Sequence, residues 1–262
     1  MNSHNTALHR SVLIAGATGG IGSACTNAFA NLGWTVFAGH RPDSTRTTTA
    51  TSVFQIPLDI TDASSIAEAV TATSELLSGQ PLTALLHCAG IAAAGPLLMT
   101  SADLIQSQMA CNLLGPTAVT QAFLPYLDRR GAAVVFLGSP LGHHVRPYAG
   151  AYAASKYALR AVAETLRMEL VPLRVAVHLI EPDKVDTPIW DRVVEQFDQT
   201  WNASPVWLRN TYPHARQTVH GWRDVVRQSP DGTTAPQVAQ CIVDHILHSL
   251  TEFATHEVGT ET

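Results

Sequence analysis

Short apolar runs alternate with longer amphipathic stretches along the chain as far as Ile180. Runs that are apolar throughout fit parallel strands covered on both faces, and the stretches between them fit the covering helices. The predicted strands are 11–15, 35–39, 53–56, 82–87, 132–138 and 174–180. The predicted helices are about 21–32, 62–78, 101–110, 113–129 and 152–170. This order predicts an α/β fold, a Rossmann-type doubly wound parallel sheet with helices on both faces.

The alternation stops after Ile180, and residues 186–231 are rich in aromatic side chains without a clear strand pattern. A long segment of this kind is usually functional, so we expect a helical or irregular lid over a substrate. A final helix is predicted at about 235–249, and residues 254–258 are a candidate last strand. The chain is expected to form a single domain, 1–262. Its parts are a cofactor-binding region (about 11–110), a catalytic region (about 111–185) and the lid (about 186–231).

Composition narrows the range of functions. The net charge is only −5 and no basic run occurs, so a nucleic acid or an anionic membrane is not an expected partner. No apolar run reaches membrane-spanning length, and the polar first ten residues lack the apolar core of a signal peptide. The four cysteines are far apart, and no metal-ligand spacing occurs. We therefore expect a cytoplasmic protein without a bound metal.

A glycine-rich turn follows the first predicted strand and opens the first predicted helix. It reads Gly16-Ala17-Thr18-Gly19-Gly20-Ile21-Gly22. Small residues let the chain turn tightly and let the backbone approach a pyrophosphate, which the N–H groups of a helix N-terminus attract. Gly16, Thr18, Gly19, Gly20, Ile21 and Gly22 are therefore predicted to bind a dinucleotide. A glycine-rich turn without a ligand is the alternative.

Two further positions bear on the cofactor. The second predicted strand ends before Arg41, and no acidic residue stands there to bind a ribose 2′-hydroxyl. A cation at this point suits a 2′-phosphate, so NADP(H) is favoured over NAD(H), unless Arg41 is a solvated loop residue. Asp59 and Ile60 follow the third predicted strand, where a carboxylate can accept a hydrogen bond from the adenine amino group. The alternative for Asp59 is a helix cap or a turn.

The candidate reacting groups lie in the second half of the chain. Tyr152 and Lys156 are four residues apart, so they share one face of a helix. An ammonium near a phenol lowers the phenol pKa and makes it a usable acid. Ser139 ends the fifth predicted strand, where a hydroxyl can orient a substrate carbonyl. Asn112 begins a predicted helix and is either its cap or the holder of a water molecule.

Together these residues resemble the compact short-chain dehydrogenase/reductase family over essentially the whole chain, from Ser11 to Gly259. The glycine turn matches the family's TGxxxGxG segment, except for Ala15 in place of threonine. The resemblance implies a catalytic tetrad of Asn112, Ser139, Tyr152 and Lys156. In it Tyr152 would protonate a carbonyl oxygen that Ser139 positions, Lys156 would hold the nicotinamide ribose, and Asn112 a proton-relay water.

The resemblance also implies contacts to the cofactor from two other segments. His87-Cys88-Ala89-Gly90 matches the family's NNAG segment, and Pro182, Val185 and Thr187 match the segment that contacts the nicotinamide amide. His87 and Asp183 depart from the pattern, and Asp183 is expected to reshape the nicotinamide pocket or add a charge to it. The segment after Ile180 and the closing tail look closest to steroid and retinol dehydrogenases. Family members commonly form dimers or tetramers through helices equivalent to 113–129 and 152–170.

The expected activity is reduction of a ketone to a secondary alcohol, rather than the reverse. The lid aromatics suggest an apolar, cyclic or aromatic substrate, although they would serve equally to pack the lid onto the sheet. Pro140, His143, His144 and Trp190 are candidate substrate contacts, and Arg146 is either a contact to a polar edge of the substrate or a plain loop residue. Two alternatives stay open. One is an enzyme of the same fold that dehydrates, cyclises or epimerises its substrate, and the other is a non-catalytic NADP(H) sensor.

Overall fold

The computed structural model describes residues 10–44, 50–229 and 232–258. Its sheet has six strands that pair in parallel, in the order β3-β2-β1-β4-β5-β6. The strands are β1 (Ser11–Ala15), β2 (Thr35–His40), β3 (Val53–Pro57), β4 (Ala84–His87), β5 (Ala132–Leu137) and β6 (Val175–Ile180). The order reverses between β1 and β4, which makes the sheet doubly wound and confirms the predicted fold class.

Helices cover both faces of this sheet. Those connecting the strands are α1 (Gly20–Asn31), α2 (Ala63–Leu77), α3 (Ala102–Met109), α4 (Gly115–Phe123) and α5 (Gly150–Glu169). After β6 come α6 (Ile189–Ala203), α7 (Val206–Thr211), α8 (Ala215–Gln228) and α9 (Ala235–Val258). Every residue of β1 is buried, as a central parallel strand requires.

The core has one layer on each face of the sheet. Leu13 and Phe37 face α2, α4 and α5, whose side chains Phe123 and Leu159 complete that layer. The neighbouring residues of the same strands point the other way, towards α1 and α9. Alternation along each strand therefore fills both layers, one beneath α2, α4 and α5 and the other beneath α1 and α9.

The break predicted between the helices 101–110 and 113–129 is wrong. The two are joined by a π-helical turn, Ala110–Leu114, so α3 and α4 form one continuous helical segment. A π turn accommodates an extra residue without ending the helix, and such turns often occur at functional sites. Asn112 lies inside this turn and is buried, so it is not a helix cap.

The lid consists mainly of the helices α6, α7 and α8 joined by short turns, and most of its aromatic residues are internal. α6 and α8 pack on each other around Phe197, which is 1% exposed, with Trp201, Tyr212 and Trp222 beside it. These side chains pack the lid, which is the second of the two roles suggested by the sequence. Trp207, in contrast, is 68% exposed.

The C-terminal prediction is also wrong. Residues 254–258 continue α9 rather than forming a strand. The sequence from 237 to 258 contains neither glycine nor proline, so nothing ends the helix after the predicted boundary at 249. No helix in the described part of the chain is long and apolar enough to cross a membrane.

We expect Phe197→Ala to lower the free energy of unfolding by about 3 kcal/mol, because it leaves a cavity between α6 and α8. Urea denaturation followed by circular dichroism measures this change. Trp207→Ala is the matched control, and removing its exposed ring should cost no more than about 0.5 kcal/mol. Equal costs for the two variants would contradict the placement of Phe197 in the lid core.

Candidate active site

A cleft of about 500 Å³ opens where the carboxyl ends of β1, β4, β5 and β6 meet, beneath the lid. In open parallel sheets ligands bind at this edge, next to the point where the strand order reverses. Of the residues predicted from the sequence, the following line it: Thr18, Gly19, Gly20, Ile21, Cys88, Ala89, Gly90, Ser139, Pro140, His144, Tyr152, Lys156, Pro182, Val185, Thr187 and Trp190. Folding thus brings sequence segments that are up to about 170 positions apart together in one cavity, as expected where the strand order reverses.

The glycine turn is closed by two contacts that leave no room for a side chain. Gly16 has φ +87°, and a Cβ on it would lie 2.5 Å from the Ala89 nitrogen. A Cβ on Gly22 would lie 2.2 Å from the Gly16 oxygen. The first contact joins the ends of β1 and β4, and the second seats α1 against the turn. Gly16 and Gly22 therefore act beneath the cleft rather than in its lining.

The N-terminus of α1 faces the cleft without a side-chain cap. Gly39 O accepts hydrogen bonds from Gly16 N (3.0 Å) and Ala17 N (2.8 Å), which ties the turn to β2. The N–H groups at the start of α1 are thus available to an anion that also gains from the helix dipole. This cradle fits the pyrophosphate of a dinucleotide.

Asn112 holds the opposite wall of the cleft in place. Its Oδ1 accepts from Ile91 N (2.9 Å), while its Nδ2 donates to Ile91 O (2.8 Å) and to Ser155 Oγ (3.0 Å). The side chain therefore ties the segment after β4 to α5. The water-holding role suggested by the resemblance stays a prediction.

Tyr152 and Ser139 meet at the floor of the cleft. Burial raises the pKa of Tyr152 above its ordinary value of 10, while a hydrogen bond with Ser139 and the charge of Arg146 lower it in part. Ser139 Oγ accepts from Leu141 N (3.2 Å), so its proton remains available to the phenol oxygen. The phenol is therefore protonated at neutral pH and able to donate.

Lys156 does not lower the Tyr152 pKa in the way expected from the sequence. Its Nζ is buried, donates to Leu137 O (2.7 Å) and lies 5.7 Å from the centre of the Tyr152 ring. Burial lowers the pKa of Lys156 to about 8. The cation that acts on the phenol is Arg146, whose role the sequence left open between loop residue and substrate contact.

The segment after β6 closes the cleft beside the glycine turn. A Cβ on Gly20 would lie 2.6 Å from Thr187 Cγ2, so this segment lies directly over the turn. Trp190 Nε1 donates to Val185 O (3.0 Å), which fixes the start of α6. Asp183 is exposed and lines the cleft, so it adds a negative charge there, as expected.

Besides Gly16, Gly22 and Asn112, four predicted site residues lie outside the cleft lining. Arg41 is 64% exposed and its Nε lies 3.5 Å from Asp43 Oδ1. Asp59 Oδ1 accepts from Thr61 N (2.9 Å) and Thr61 Oγ1 (2.6 Å), the turn role that was the alternative. Ile60 is buried. These three stay predictions as cofactor contacts.

His143 was expected to contact substrate but faces away from the cleft. Its Nδ1 lies 3.5 Å from Glu181 Oε2, and Arg160 Nη1 lies 3.4 Å from the same ring nitrogen. Its ring is therefore part of an ionic cluster with Glu181 and Arg160. In the described residues, no three histidine, cysteine or acidic side chains are arranged to hold a metal ion.

The sequence prediction missed most of the lining residues from the lid. The lid contributes Ile189, Arg192, Val193, Trp222, Val225 and Val226. Arg146 and Trp222 stack on each other in the lining of the cleft, with the guanidinium carbon 3.9 Å from the centre of the indole ring. Spacing alone gives no signal for such a contact, because the two residues come from unrelated elements.

Comparison with known proteins gives the family. The short chain dehydrogenase profile matches residues 10–198. A 3-amino-tetrahydro-pyrrolizinone reductase of Xenorhabdus hominickii is 31% identical over 183 residues, 70% of this chain and 64% of that protein, so the match spans less than two thirds of this relative's length. A 17-beta-hydroxysteroid dehydrogenase type 6 of Bos taurus is 26% identical over 257 residues, 95% of this chain and 80% of that protein. Retinol dehydrogenase 5 of Mus musculus is 32% identical over 63% of this chain and 50% of its own length.

Solved structures agree on the fold. A short chain dehydrogenase/reductase from Burkholderia phymatum in complex with NAD has a TM-score of 0.75 at 24% identity, covering 92% of this chain and 86% of that one. An NADPH-bound carbonyl reductase from chicken fatty liver has a TM-score of 0.64 at 26% identity, covering 69% and 81%.

The chain therefore belongs to the short-chain dehydrogenase/reductase family of NAD(P)-dependent oxidoreductases. The expected likeness to steroid and retinol dehydrogenases agrees with the bovine and mouse relatives.

His87, a departure from the family pattern, is accommodated as a neutral side chain. Its Nε2 lies 2.8 Å from Thr120 Oγ1, and its ring stacks on Phe136 with 4.7 Å between centres. Burial lowers its pKa from 6.5 to about 3. The ring therefore packs between β4 and α4 and stays uncharged over the physiological range.

We expect the free energy of unfolding to fall less between pH 7 and pH 5 in His87→Asn than in the wild-type protein. Between pH 6.5 and about 3 the unfolded state binds a proton at His87 that the folded state does not, so stability falls as pH falls. By pH 5 this loss is about 2 kcal/mol. Urea denaturation at pH 7 and pH 5 measures it.

His214→Asn, in an exposed position on the lid, is the matched control and should keep the wild-type difference between the two pH values. An unchanged pH dependence in His87→Asn would show that His87 does not remain neutral in the folded protein.

Proposed function

We propose that the protein reduces a ketone to a secondary alcohol with NADPH, and that Tyr152 is the proton donor. The observation that carries the proposal is the position of Tyr152 and Ser139 on the floor of the cleft that the glycine turn also lines. A hydride donor seated along the turn would then lie over the same floor.

Each polar residue of the floor has a task in this reaction. Bound nicotinamide supplies the hydride. Ser139 holds the carbonyl oxygen next to the Tyr152 hydroxyl, which gives up its proton as negative charge develops on that oxygen. Lys156, which donates to Leu137 O, would bind the nicotinamide ribose. Asn112 keeps the wall after β4 at the right distance from α5.

Two features favour reduction over oxidation. The raised pKa of Tyr152 keeps the phenol protonated at neutral pH, which is the form that can protonate an alkoxide. The relative from Xenorhabdus hominickii is also named a reductase. An apolar, cyclic or aromatic substrate suits the lining, which is mostly aliphatic and includes Trp190 and Trp222.

NADP(H) is proposed over NAD(H) because Arg41 directly follows β2 and offers a cation at the edge of the cofactor region. Its pair with Asp43 is exposed on both sides and therefore weak, so the guanidinium is available to a 2′-phosphate.

Assembly into a homodimer or homotetramer is proposed through α4 and α5. Leu114 and Tyr157 on this side of the molecule are exposed apolar residues that a second copy would cover. The cytoplasmic location stays a prediction from the sequence.

We expect Tyr152→Phe to lower kcat/KM for ketone reduction at least about 100-fold, because no other phenol reaches the floor of the cleft in the described residues. The dissociation constant for NADPH should change less than about threefold, since the ring is kept. Absorbance at 340 nm measures turnover, and nucleotide fluorescence measures binding.

Tyr157→Phe is the matched control. It lies on the same helix, is 42% exposed and should keep full activity. Turnover by Tyr152→Phe within a few-fold of wild type would show that Tyr152 is not the proton donor.

We expect Arg41→Ala to raise the KM for NADPH at least about tenfold and to leave that for NADH within about threefold, because only NADPH carries the 2′-phosphate. Asp43→Asn is the companion variant and should not weaken NADPH, since it removes the competing carboxylate. Equal losses for both cofactors in Arg41→Ala would remove the argument for NADP(H). Steady-state kinetics with each cofactor measures the difference.

A further inference from the structure

Arg146 occupies an unusual place in the cleft. It lies in the loop between β5 and α5, beside Tyr152, and its guanidinium stacks on Trp222 of α8 with 3.9 Å from its carbon to the ring centre. Tyr148, two residues on, has φ +68°, a left-handed conformation that non-glycine residues seldom adopt. Tyr148 O accepts from Gly95 N (2.8 Å), so the loop that carries Arg146 is held in this shape.

Among the residues that the structure describes, none forms an ion pair or a side-chain hydrogen bond with the Arg146 guanidinium, and its Nε is buried without an acceptor. Asp183 acts on it electrostatically but is not within ion-pair distance. A stacked guanidinium whose donors face a cavity is the arrangement by which arginine binds planar anions.

The charge of the cleft points the same way. Arg146, Lys156, Lys184 and Arg192 line it, against Asp183 as the single acidic side chain among its described lining residues. Lys156 is engaged by Leu137 O on the floor, whereas Arg146 lies on the lid side, against the indole. An aromatic ring and a cation at one end of an apolar cavity suit a substrate with an apolar body and an anionic end.

We propose that the ketone substrate carries a carboxylate and that the Arg146 guanidinium, seated on Trp222, binds it. This inference rests on the proposed function and adds the substrate class. A carboxylate matches the guanidinium because its two oxygens accept from two parallel N–H groups of the planar fork.

The test compares matched pairs of aromatic keto compounds that differ only in the anionic group. 4-Acetylbenzoate and methyl 4-acetylbenzoate form one pair, and 6-acetyl-2-naphthoate and its methyl ester form a larger one. Calorimetry on the NADP⁺-loaded protein measures binding, and NADPH oxidation measures kcat and KM. The ratio of acid to ester isolates recognition of the anion, because an effect of Arg146 on Tyr152 changes both members of a pair alike.

In at least one pair, the wild-type protein should bind and reduce the acid at least tenfold better than the ester. Arg146→Gln should remove that preference through KM for the acid, with kcat/KM for the ester changing much less. Arg146→Lys should retain part of it, since the charge remains and the planar fork is lost. Arg223→Gln is the matched control, because Arg223 adjoins Trp222 but pairs with Asp224 and is not part of the lining.

Three results would overturn the inference: no preference for the acid in any pair, a preference that survives in Arg146→Gln, or a preference lost in Arg192→Gln instead. If the acid binds in an Arg146-dependent way but is never reduced, the carboxylate site stands and the proposed reaction fails. If the esters are reduced and the acids are not preferred, the reaction stands and the carboxylate site fails.

Discussion

The close approach of backbone to backbone at the end of β1 is the constraint on which the cleft depends. Gly16 lies against Ala89 because β1 and β4 are neighbours in the sheet, although more than sixty residues separate them in sequence. This contact sets the width of the gap that opens where the strand order reverses. The wall after β4 is then fixed by Asn112, and the wall after β6 by Thr187 resting on Gly20. These contacts fix the segments after β1, β4 and β6, and so determine where the polar side chains of the floor lie.

The chemistry of the floor is a balance between desolvation and charge. Burying Tyr152 favours its neutral form, and Ser139 and Arg146 oppose that effect only in part. Burying Lys156 weakens its proton affinity, and Leu137 O compensates by accepting a hydrogen bond. The two pKa shifts are therefore opposite in direction: that of Lys156 moves towards neutral pH, whereas that of Tyr152 moves away from it, which keeps the phenol protonated as a proton donor. His87 shows the same burial effect with no balancing charge, and it remains simply neutral.

Much of this arrangement was predictable from the sequence. The six strands follow from local patterns, because an apolar run reports on a single element, and the helical spacing of Tyr152 and Lys156 likewise places both at one face of α5, next to the cleft. The π turn at Ala110–Leu114 and the length of α9 were not predictable, since a π turn has no clear sequence signal and the end of a helix depends on what it packs against. The source of the charge near Tyr152 was assigned to Lys156 because helical spacing made it the obvious neighbour. The structure assigns it to Arg146, whose position depends on a loop conformation and on a lid helix.

The seating of Arg146 on Trp222 joins two parts of the molecule that the sequence keeps apart. The indole belongs to α8, and the charge near the reacting phenol belongs to the loop before α5. Any movement of α8 away from the sheet takes away the platform under the guanidinium and leaves it free to turn towards solvent. The charge that offsets part of the burial effect on the Tyr152 pKa is thus coupled to the position of α8, so a residue of the lid helps to set the acid strength of a phenol on another helix.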